Sequence, residues 1–396
     1  MVESKYTYNS PQSATNAPPG TVRKSEHDHR EYRYLQLENS MKVLLVRDEA
    51  TTKAAATAYV RSGSLNDPPE VNGIAHFCEH MLFQGTKKFP EPDGYGKFLA
   101  SNGGSRNAAT GEDFTFYYFD VKTEALDEAL ERFADFFKAP EFSEGATKRE
   151  IEAIESEFKK NINSELRRVI QIEKTELSAE GSALKRFATG NMESLITEPQ
   201  SKGHNIRQCL LDYHGKNYSS NLMSLCIVAP NTLAELEDLA KKHFEGVENK
   251  HVKLRDYSKD PMYDQNALGH ILKYAPEKKS SMLSLKWPLL PSAKQYWEGS
   301  PLVYLGHLIG DEGHGSLLSE LIKQGLAINL MAGANEKLQG QRGGFYIDIT
   351  LTEEGMKEAG LYRVLRLVFA AINQFRKEGP QAYYVRERRV VGDLGF

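Results

Sequence analysis

The most informative part of the sequence is His76-Phe77-Cys78-Glu79-His80. Two histidines four residues apart on a helix project from one face, with their Cβ atoms roughly 5–6 Å apart. That spacing allows both imidazole rings to bind one metal ion, and zinc accepts histidine nitrogen at about 2.0–2.1 Å. Glu79 precedes the second histidine, so its carboxylate can reach the open side of the same ion and take a proton from a water bound there. The alternative interpretation is a surface helix with solvated histidine and glutamate side chains.

A third metal ligand must come from another segment, because a catalytic zinc site has three protein ligands and a water. Residues 147–158 predict a helix, since good helix formers dominate and apolar residues recur at spacings of three and four. Glu150 and Glu157 lie two turns apart on one face, so one can bind the metal while the other holds a ligand histidine by its second ring nitrogen. On the residues alone, Glu152 and Glu155 compete for these roles.

The composition limits the class of protein. A chain of 396 residues suits two or three domains, and 50 basic against 54 acidic residues leave no strong field for nucleic acid or a membrane. The three cysteines, Cys78, Cys209 and Cys226, argue against a disulfide framework and for a reducing compartment. Residues 1–31 are polar and lack the apolar region of a secretory signal, so a disordered leader is expected there. We therefore expect a cytoplasmic protein.

Two segments of the chain share one plan of two strands, a loop and a helix, and each continues with a further strand. This pattern predicts an α+β protein with two similar α/β domains, each a mixed, mostly antiparallel sheet packed by helices. The strands are predicted at residues 41–46, 54–60, 114–121, 270–274, 281–285 and 344–351, and the helices around His76 and at 302–309 and 359–375.

The domain boundary is expected in the polar segment 248–265. A catalytic, metal-binding domain is predicted over residues 32–250, and a second domain without metal over 265–396. The second domain has His307 on its corresponding helix, with no neighbouring carboxylate, so this histidine is expected to pack or cap rather than to bind metal. One metal site is therefore expected per chain.

The order His-x-x-Glu-His is the inverzincin signature, and the chain around it resembles the insulysin branch of the pitrilysin metallopeptidase family. The resemblance implies the mitochondrial-processing-peptidase/LuxS-like metallohydrolase fold. The matching segments follow the family's order from about residue 30 to 390 and lie at 74–88, 105–108, 117–121, 149–150, 156–157, 189–191, 218–223, 315–321 and 351–355.

Carried over residue by residue, the resemblance implies a complete metal site. His76 and His80 would bind Zn²⁺ together with Glu157 as the third ligand. Glu79 would be the general base, and Glu150 would support a ligand histidine. One zinc ion per chain is the cofactor that this implies.

The resemblance also implies two sites that bind peptide by strand pairing. Asn107 and Ala108 match the family's edge-strand segment, where main-chain hydrogen bonds provide affinity without demanding a sequence; the alternative is that Asn107 is a turn residue. An exosite for the substrate's N-terminal end is matched by Gly310, Gly313, Leu330, Met331, Ala332 and Gly333. The alternative there is ordinary loop and helix-cap glycine.

The chain departs from the family pattern in the substrate pocket. Ala109 stands where insulysins have an aromatic residue, and Arg167 and Ile170 stand where they have tryptophan and phenylalanine; Phe83 is retained. We expect a wider, partly cationic pocket that accepts acidic residues after the scissile bond.

The function implied is a zinc-dependent endopeptidase for short or unfolded peptides. The family has four such domains, and its distal half supplies an arginine and a tyrosine for which this chain has no matching positions. Full activity is therefore expected to need a second half, as another chain, a homo-oligomer or a further region. The alternative is a non-catalytic peptide-binding or regulatory half-subunit on the same fold.

Overall fold

The computed structural model describes residues 24–25, 27–256, 263–277, 281–289, 301–337 and 342–395. The predicted leader lies mostly outside these residues. The chain forms two compact units, the first of Met1–Ala153 with Gly190–Leu254 and the second of Ile154–Thr189 with Arg255–Phe396. The domain boundaries expected from the sequence stay predictions, and the compact units differ from them in grouping residues 154–189 with the later part of the chain.

The first unit contains a six-stranded sheet whose spatial order is β1-β2-β6-β3-β5-β4. Only the β2–β6 pair is parallel, so the expected mixed, mostly antiparallel sheet is confirmed. In β3, every second residue is buried, as expected for a strand with one face on the core. The strands are β1 (Glu31–Gln36), β2 (Lys42–Arg47), β3 (Lys53–Val60), β4 (Ser105–Thr110), β5 (Thr115–Lys122) and β6 (Met223–Ala229).

Eight helices lie between or after these strands in the chain. They are α1 (Ile74–Leu82), α2 (Gly94–Ser101), α3 (Leu126–Lys138), α4 (Glu144–Asn161), α5 (Glu165–Leu177), α6 (Glu198–Ser201), α7 (Ile206–Asn217) and α8 (Leu233–Phe244). Of these, α5 and the last turns of α4 belong to the second unit. Short 3₁₀ segments occupy Ser64–Asn66, Thr123–Ala125, Ala183–Lys185, Ser220–Leu222 and Gln265–Ala267, and one π-helical turn occupies Glu193–Thr197.

The core of the first unit is rich in aromatic side chains. Phe133 of α3 contacts the ring of Phe119 on β5 edge-on at 5.2 Å and that of Phe137 at 5.5 Å, and it stacks on Tyr95 of α2. Burying each such side chain stabilises the fold by about 1.5–3 kcal/mol. These contacts fix α2 and α3 against the strands that carry the site.

The second unit contains a three-stranded antiparallel sheet in the order β7-β9-β8. The elements are β7 (Met282–Leu289), α9 (Pro301–Ile309), α10 (Leu317–Lys323), β8 (Ala327–Lys337), β9 (Arg342–Leu351), α11 (Glu353–Met356), α12 (Glu358–Glu378) and α13 (Ala382–Gly395). A mostly aliphatic core is formed by buried residues of this sheet and of helices α9, α10 and α12.

Most elements predicted from the sequence are confirmed, and one strand is wrong. The helices expected at 302–309 and 359–375 correspond to α9 and α12. The strand predicted at 270–274 is absent, because residues 271–277 are exposed and have no regular structure. Its apolar residues alternate as in a strand, but a strand also needs a partner for its backbone groups, and no described strand pairs with it.

Candidate metal centre

Helix α1 begins at a firmly held point of the chain. Gly73 precedes the helix with φ 90°, a left-handed conformation that favours glycine. The buried carboxylate of Asp67 accepts hydrogen bonds from the backbone N–H of Gly73 at 2.7 Å and of Ala75 at 3.0 Å. These bonds satisfy N–H groups that a helix start otherwise leaves unpaired. Seven of the nine residues of α1 are buried, so the helix has little freedom to move.

The two histidines of α1 point to a common position. Their ring centroids lie 4.8 Å apart with the rings nearly perpendicular, and both side chains are partly exposed although their neighbours in the helix are buried. One ligand atom each from His76, His80 and Glu157 lie within 4.8 Å of one another. Glu157 belongs to α4, which is one continuous helix through residue 161. Two imidazoles and one carboxylate are a donor set of catalytic zinc sites, so these residues fit the ion.

Glu150 lies on the same helix as Glu157 and contacts His80. Its Oε2 is 3.1 Å from Nδ1 of His80, and both side chains are partly buried. A carboxylate at Nδ1 favours the tautomer in which that nitrogen carries the proton, which leaves the Nε2 lone pair for a metal. On the residues alone, four glutamates of α4 were open as ligand or support, and the geometry brings Glu157 and Glu150 to the histidines.

Glu79 is buried, and a residue of the sheet holds its carboxylate by a hydrogen bond. The hydroxyl of Thr110, the last residue of β4, donates a hydrogen bond to Glu79 Oε2. Sequence reasoning did not single out Thr110. The only local signal was strand alternation, which places Thr110 with Arg106 and Ala108 on the half-buried face of β4, opposite exposed Asn107.

Strand β4 is an edge strand, since in the six-stranded sheet it pairs only with β5. Asn107 and Ala108 lie in its middle and pair with Tyr118 and Tyr117. The alternative interpretation of Asn107 as a turn residue is therefore wrong. An edge strand presents backbone groups that an extended peptide can pair with.

Phe83 follows α1 and is only 8% exposed. Its ring packs edge-on against Phe136 at 5.4 Å, and the guanidinium of Arg106 lies 4.3 Å from the ring centroid. Arg106 also forms an ion pair with Asp93. Arg106 thus covers the phenylalanine that was expected to line a substrate pocket, although no role for Arg106 was expected from the sequence.

The other pocket residues lie on two elements. Ala109 is an exposed residue of β4, and Arg167 and Ile170 are exposed residues of α5. Their roles in substrate preference stay predictions.

The predicted exosite residues lie on β8 and in the loop after α9. Strand β8 is an edge of the three-stranded sheet, where Leu330 is buried and Met331 is exposed. In the loop, Asp311 accepts a hydrogen bond from the backbone N–H of Gly313 at 2.8 Å. Peptide binding there stays a prediction.

Glycine has a packing role where α9 meets β8. A Cβ atom on Gly306 would lie 3.1 Å from the carbonyl oxygen of Ala332 and from the Cα of Gly333, and one on Gly310 would lie 2.8 Å from the carbonyl oxygen of Gly306. The close approach of the helix to the strand therefore depends on glycine at position 306. At Gly310 the close atom belongs to the end of α9 itself, which supports the alternative of a helix-cap glycine there.

Buried polar groups lie behind α1. The hydroxyls of Tyr117 and Tyr218 are 2.6 Å apart, and the ring of His214 stacks on Tyr218 at 4.6 Å. Burial, with a smaller contribution from the charge of Lys250, lowers the pKa of His214 to about 3, so this imidazole is neutral. Cys78 is fully buried, as expected of a small apolar residue, and burial raises the pKa of its thiol.

Among the described residues, no helix has both the length and the apolar composition needed to cross a bilayer.

Two family models match the chain. The model described as Insulinase (Peptidase family M16) matches residues 42–180, and the one described as Peptidase M16 inactive domain matches residues 205–389. The crystal structure of pitrilysin superposes with a TM-score of 0.85 at 32% identity, over 93% of this chain and 38% of pitrilysin. A protease from Helicobacter pylori superposes with a TM-score of 0.70 at 19% identity, which supports the fold alone.

Relatives in sequence include insulin-degrading enzymes and other peptidases. The insulin-degrading enzyme of Homo sapiens is 41% identical over 95% of this chain, and the A-factor-processing enzyme of Saccharomyces cerevisiae is 37% identical over 94%. A Caenorhabditis elegans protein named as a zinc protease is 39% identical over 95%. The chain spans 36% of the first two relatives and 43% of the third. With both M16 models matched in order and the pitrilysin fold reproduced, this chain belongs to the insulinase and pitrilysin family of peptidases, M16.

Proposed function

We propose that this protein is a zinc-dependent endopeptidase that cleaves short or unfolded peptides. The observation that carries the proposal is the convergence of His76, His80 and Glu157 beside Glu79. A three-ligand site leaves a coordination position for water or substrate, which distinguishes catalytic from structural zinc sites.

The chain's own residues would hold the ion and keep it in place. His80 would bind through Nε2, because Glu150 engages its Nδ1. Glu157 supplies negative charge to the site from α4. When bound, zinc makes water nucleophilic at neutral pH and polarises the scissile carbonyl.

Glu79 would act as general base and then as general acid. Its carboxylate would accept a proton from the attacking water and return that proton to the nitrogen of the leaving amine. Its burial suits this task, since a carboxylate away from bulk water exchanges its proton with the reacting groups rather than with solvent.

Substrate would be held by main-chain pairing. An extended peptide would add to the edge of β4 at Asn107 and Ala108. Ala109, Phe83, Arg167 and Ile170 would set the preference for residues after the scissile bond. The edge of β8, from Leu330 to Gly333, with Gly310 and Gly313 would receive the N-terminal end of the substrate.

Full activity would require a second half. The chain spans 36% of the human insulin-degrading enzyme, and the arginine and tyrosine that the resemblance assigns to the family's distal half would have to come from outside this sequence. A second chain, a homo-oligomer or a further region would supply them, and loss of one group that stabilises a developing oxyanion costs about 10²–10³ in turnover. A cytoplasmic location is part of the proposal.

The second candidate is a peptide-binding or regulatory half-subunit without turnover. The match of residues 205–389 to the model described as an inactive domain favours it, whereas the presence of base and ligands together favours the enzyme.

The test is hydrolysis of an internally quenched fluorescent peptide by the natural chain and by Glu79→Gln, each with measured zinc content. We expect about one zinc per chain in both proteins and turnover in the natural chain only. Turnover that appears only after addition of a second half, supplied as the unmatched part of the human insulin-degrading enzyme, would establish the half-enzyme. Peptide binding without turnover, with or without that half, would support the regulatory alternative.

A further inference from the structure

The general base touches the peptide-binding strand directly. Glu79 of α1 accepts a hydrogen bond at Oε2 from the hydroxyl of Thr110. Thr110 ends β4, three residues after Asn107. One hydroxyl therefore connects the edge of the sheet to the carboxylate beside the ligand histidines.

The direction of this hydrogen bond follows from counting protons. Thr115 Oγ1 lies 3.4 Å from Thr110 Oγ1, but Thr115 uses its single proton on the carbonyl oxygen of Ser62 at 2.9 Å. The proton of Thr110 is then available for Glu79, and an ionised carboxylate can only accept. Thr110 is thus a donor to the base.

Thr110 is held firmly enough to orient another side chain. It forms the last pair of the β4–β5 hairpin with Thr115, which is fully buried. The tip of the hairpin is fixed to the 3₁₀ segment Ser64–Asn66, because the backbone N–H of Ser64 donates to the carbonyl oxygen of Gly111 at 3.0 Å. A second bond of the same kind joins Leu65 to the tip at 2.8 Å.

We propose that Thr110 is a positioning residue for the general base. Its hydroxyl fixes one oxygen of Glu79 and so keeps the other available for the proton that the base accepts. Because Thr110 belongs to β4, the strand that pairs with the peptide also sets the orientation of the base. The proposal rests on the proposed role of Glu79 as general base, and it adds the residue that orients the Glu79 carboxylate for that role.

The test compares three variants of the full chain with the parent. Thr110→Val removes the hydroxyl at nearly constant shape, and Thr110→Ser keeps it. Thr57→Val, a partly buried threonine of β3, is the matched control. For Thr110→Val, we expect kcat to fall roughly 10–100-fold with KM within about twofold, since a misplaced catalytic group costs about 10²-fold. Thr110→Ser and Thr57→Val should stay within about threefold of the parent.

A crystal structure of Thr110→Val provides a readout independent of turnover. We expect the Glu79 carboxylate to move or to occupy several rotamers, while His76 and His80 stay in place and zinc content is unchanged. An unmoved Glu79, or a Thr110→Ser variant as impaired as Thr110→Val, would overturn the proposal. Absence of turnover in the parent both alone and with the second half would contradict the proposed function, and the position of Glu79 would still decide the role of Thr110.

Discussion

Helices α1 and α9 each follow a pair of predicted strands and each carry histidine, but they differ in how the fold holds them. In α1, seven of nine residues are buried, whereas in α9 only Gly306 and Ile309 are buried. His307 of α9 is exposed and rests against the ring of Tyr384 at 4.9 Å. The region that contains α9 matches the family model described as inactive.

The difference shows what a metal site requires beyond histidine. Around α1, a second helix brings two glutamates to the histidines, one among the ligand atoms and one at Nδ1 of His80. Among the described residues, no second group of three side chains that could hold a metal ion occurs, so His307 belongs to no such group. The region of α1 therefore differs from that of α9 in two respects. Its helix is buried, and a separate helix brings carboxylates to its histidines.

The sharpest test of this comparison removes one histidine from each helix. His76→Ala should lose zinc, and any turnover should fall by roughly a thousandfold or more, because the metal contributes several kcal/mol to the transition state. His307→Ala should leave both unchanged. Zinc content after dialysis and peptide hydrolysis measure the two effects. Equal zinc loss in the two variants would contradict the assignment of the site to α1.

The contrast in burial predicts a large difference in stability. Phe77→Ala removes a fully buried ring from α1 and should lower the free energy of unfolding by about 3–5 kcal/mol. Val303→Ala in α9 changes an exposed residue and should cost less than about 0.5 kcal/mol. Urea unfolding followed by circular dichroism provides the comparison. Similar costs at the two positions would mean that α1 is no better held than α9.

The role of the supporting carboxylate can be separated from that of α4 as a whole. Glu150→Gln should weaken zinc binding by about 10–100-fold, because a neutral amide holds the His80 ring less firmly. Glu152→Gln, on an exposed position of the same helix, is the control and should bind zinc like the parent. Competition with a fluorescent zinc chelator measures both affinities. Weakening by Glu152→Gln of the same size would point to the charge of α4 rather than to the His80 contact.

The packing behind α1 predicts a smaller effect, which depends on pH. His214 lies on α7, which packs against α1, and burial lowers its pKa to about 3 from the ordinary 6.5. The unfolded chain therefore binds a proton more readily than the folded one, so stability is complete above about pH 6.5 and falls as the pH drops toward 3.

His214→Phe should flatten this dependence, because phenylalanine stacks on Tyr218 without titrating. Between pH 7 and pH 5, the parent should lose about 2 kcal/mol more than the variant, at about 1.4 kcal/mol per pH unit below 6.5. Urea unfolding at the two pH values measures the difference. Parallel losses in both proteins would show that His214 is not the group responsible.

Much of the fold could be predicted because its elements have strong local patterns. The alternation of β3, the helix over 147–158 and the amphipathic α12 are visible in the sequence and confirmed in the structure. The prediction of a strand at 270–274 was wrong, because alternation of apolar and polar residues indicates only which residues could share a face. Whether such a segment becomes a strand depends on a partner elsewhere in the chain.

The sequence by itself determined the spacing of His76 and His80 and the place of Glu79 between them, because helical periodicity places residues four apart on one face. Only the tertiary structure brought Glu157 and Glu150 of α4, rather than Glu152 or Glu155, to those histidines. Contacts between elements distant in the chain depend on how the elements pack, and no local pattern encodes that packing. For the same reason, the hydrogen bond from Thr110 to Glu79 was visible only in the folded chain.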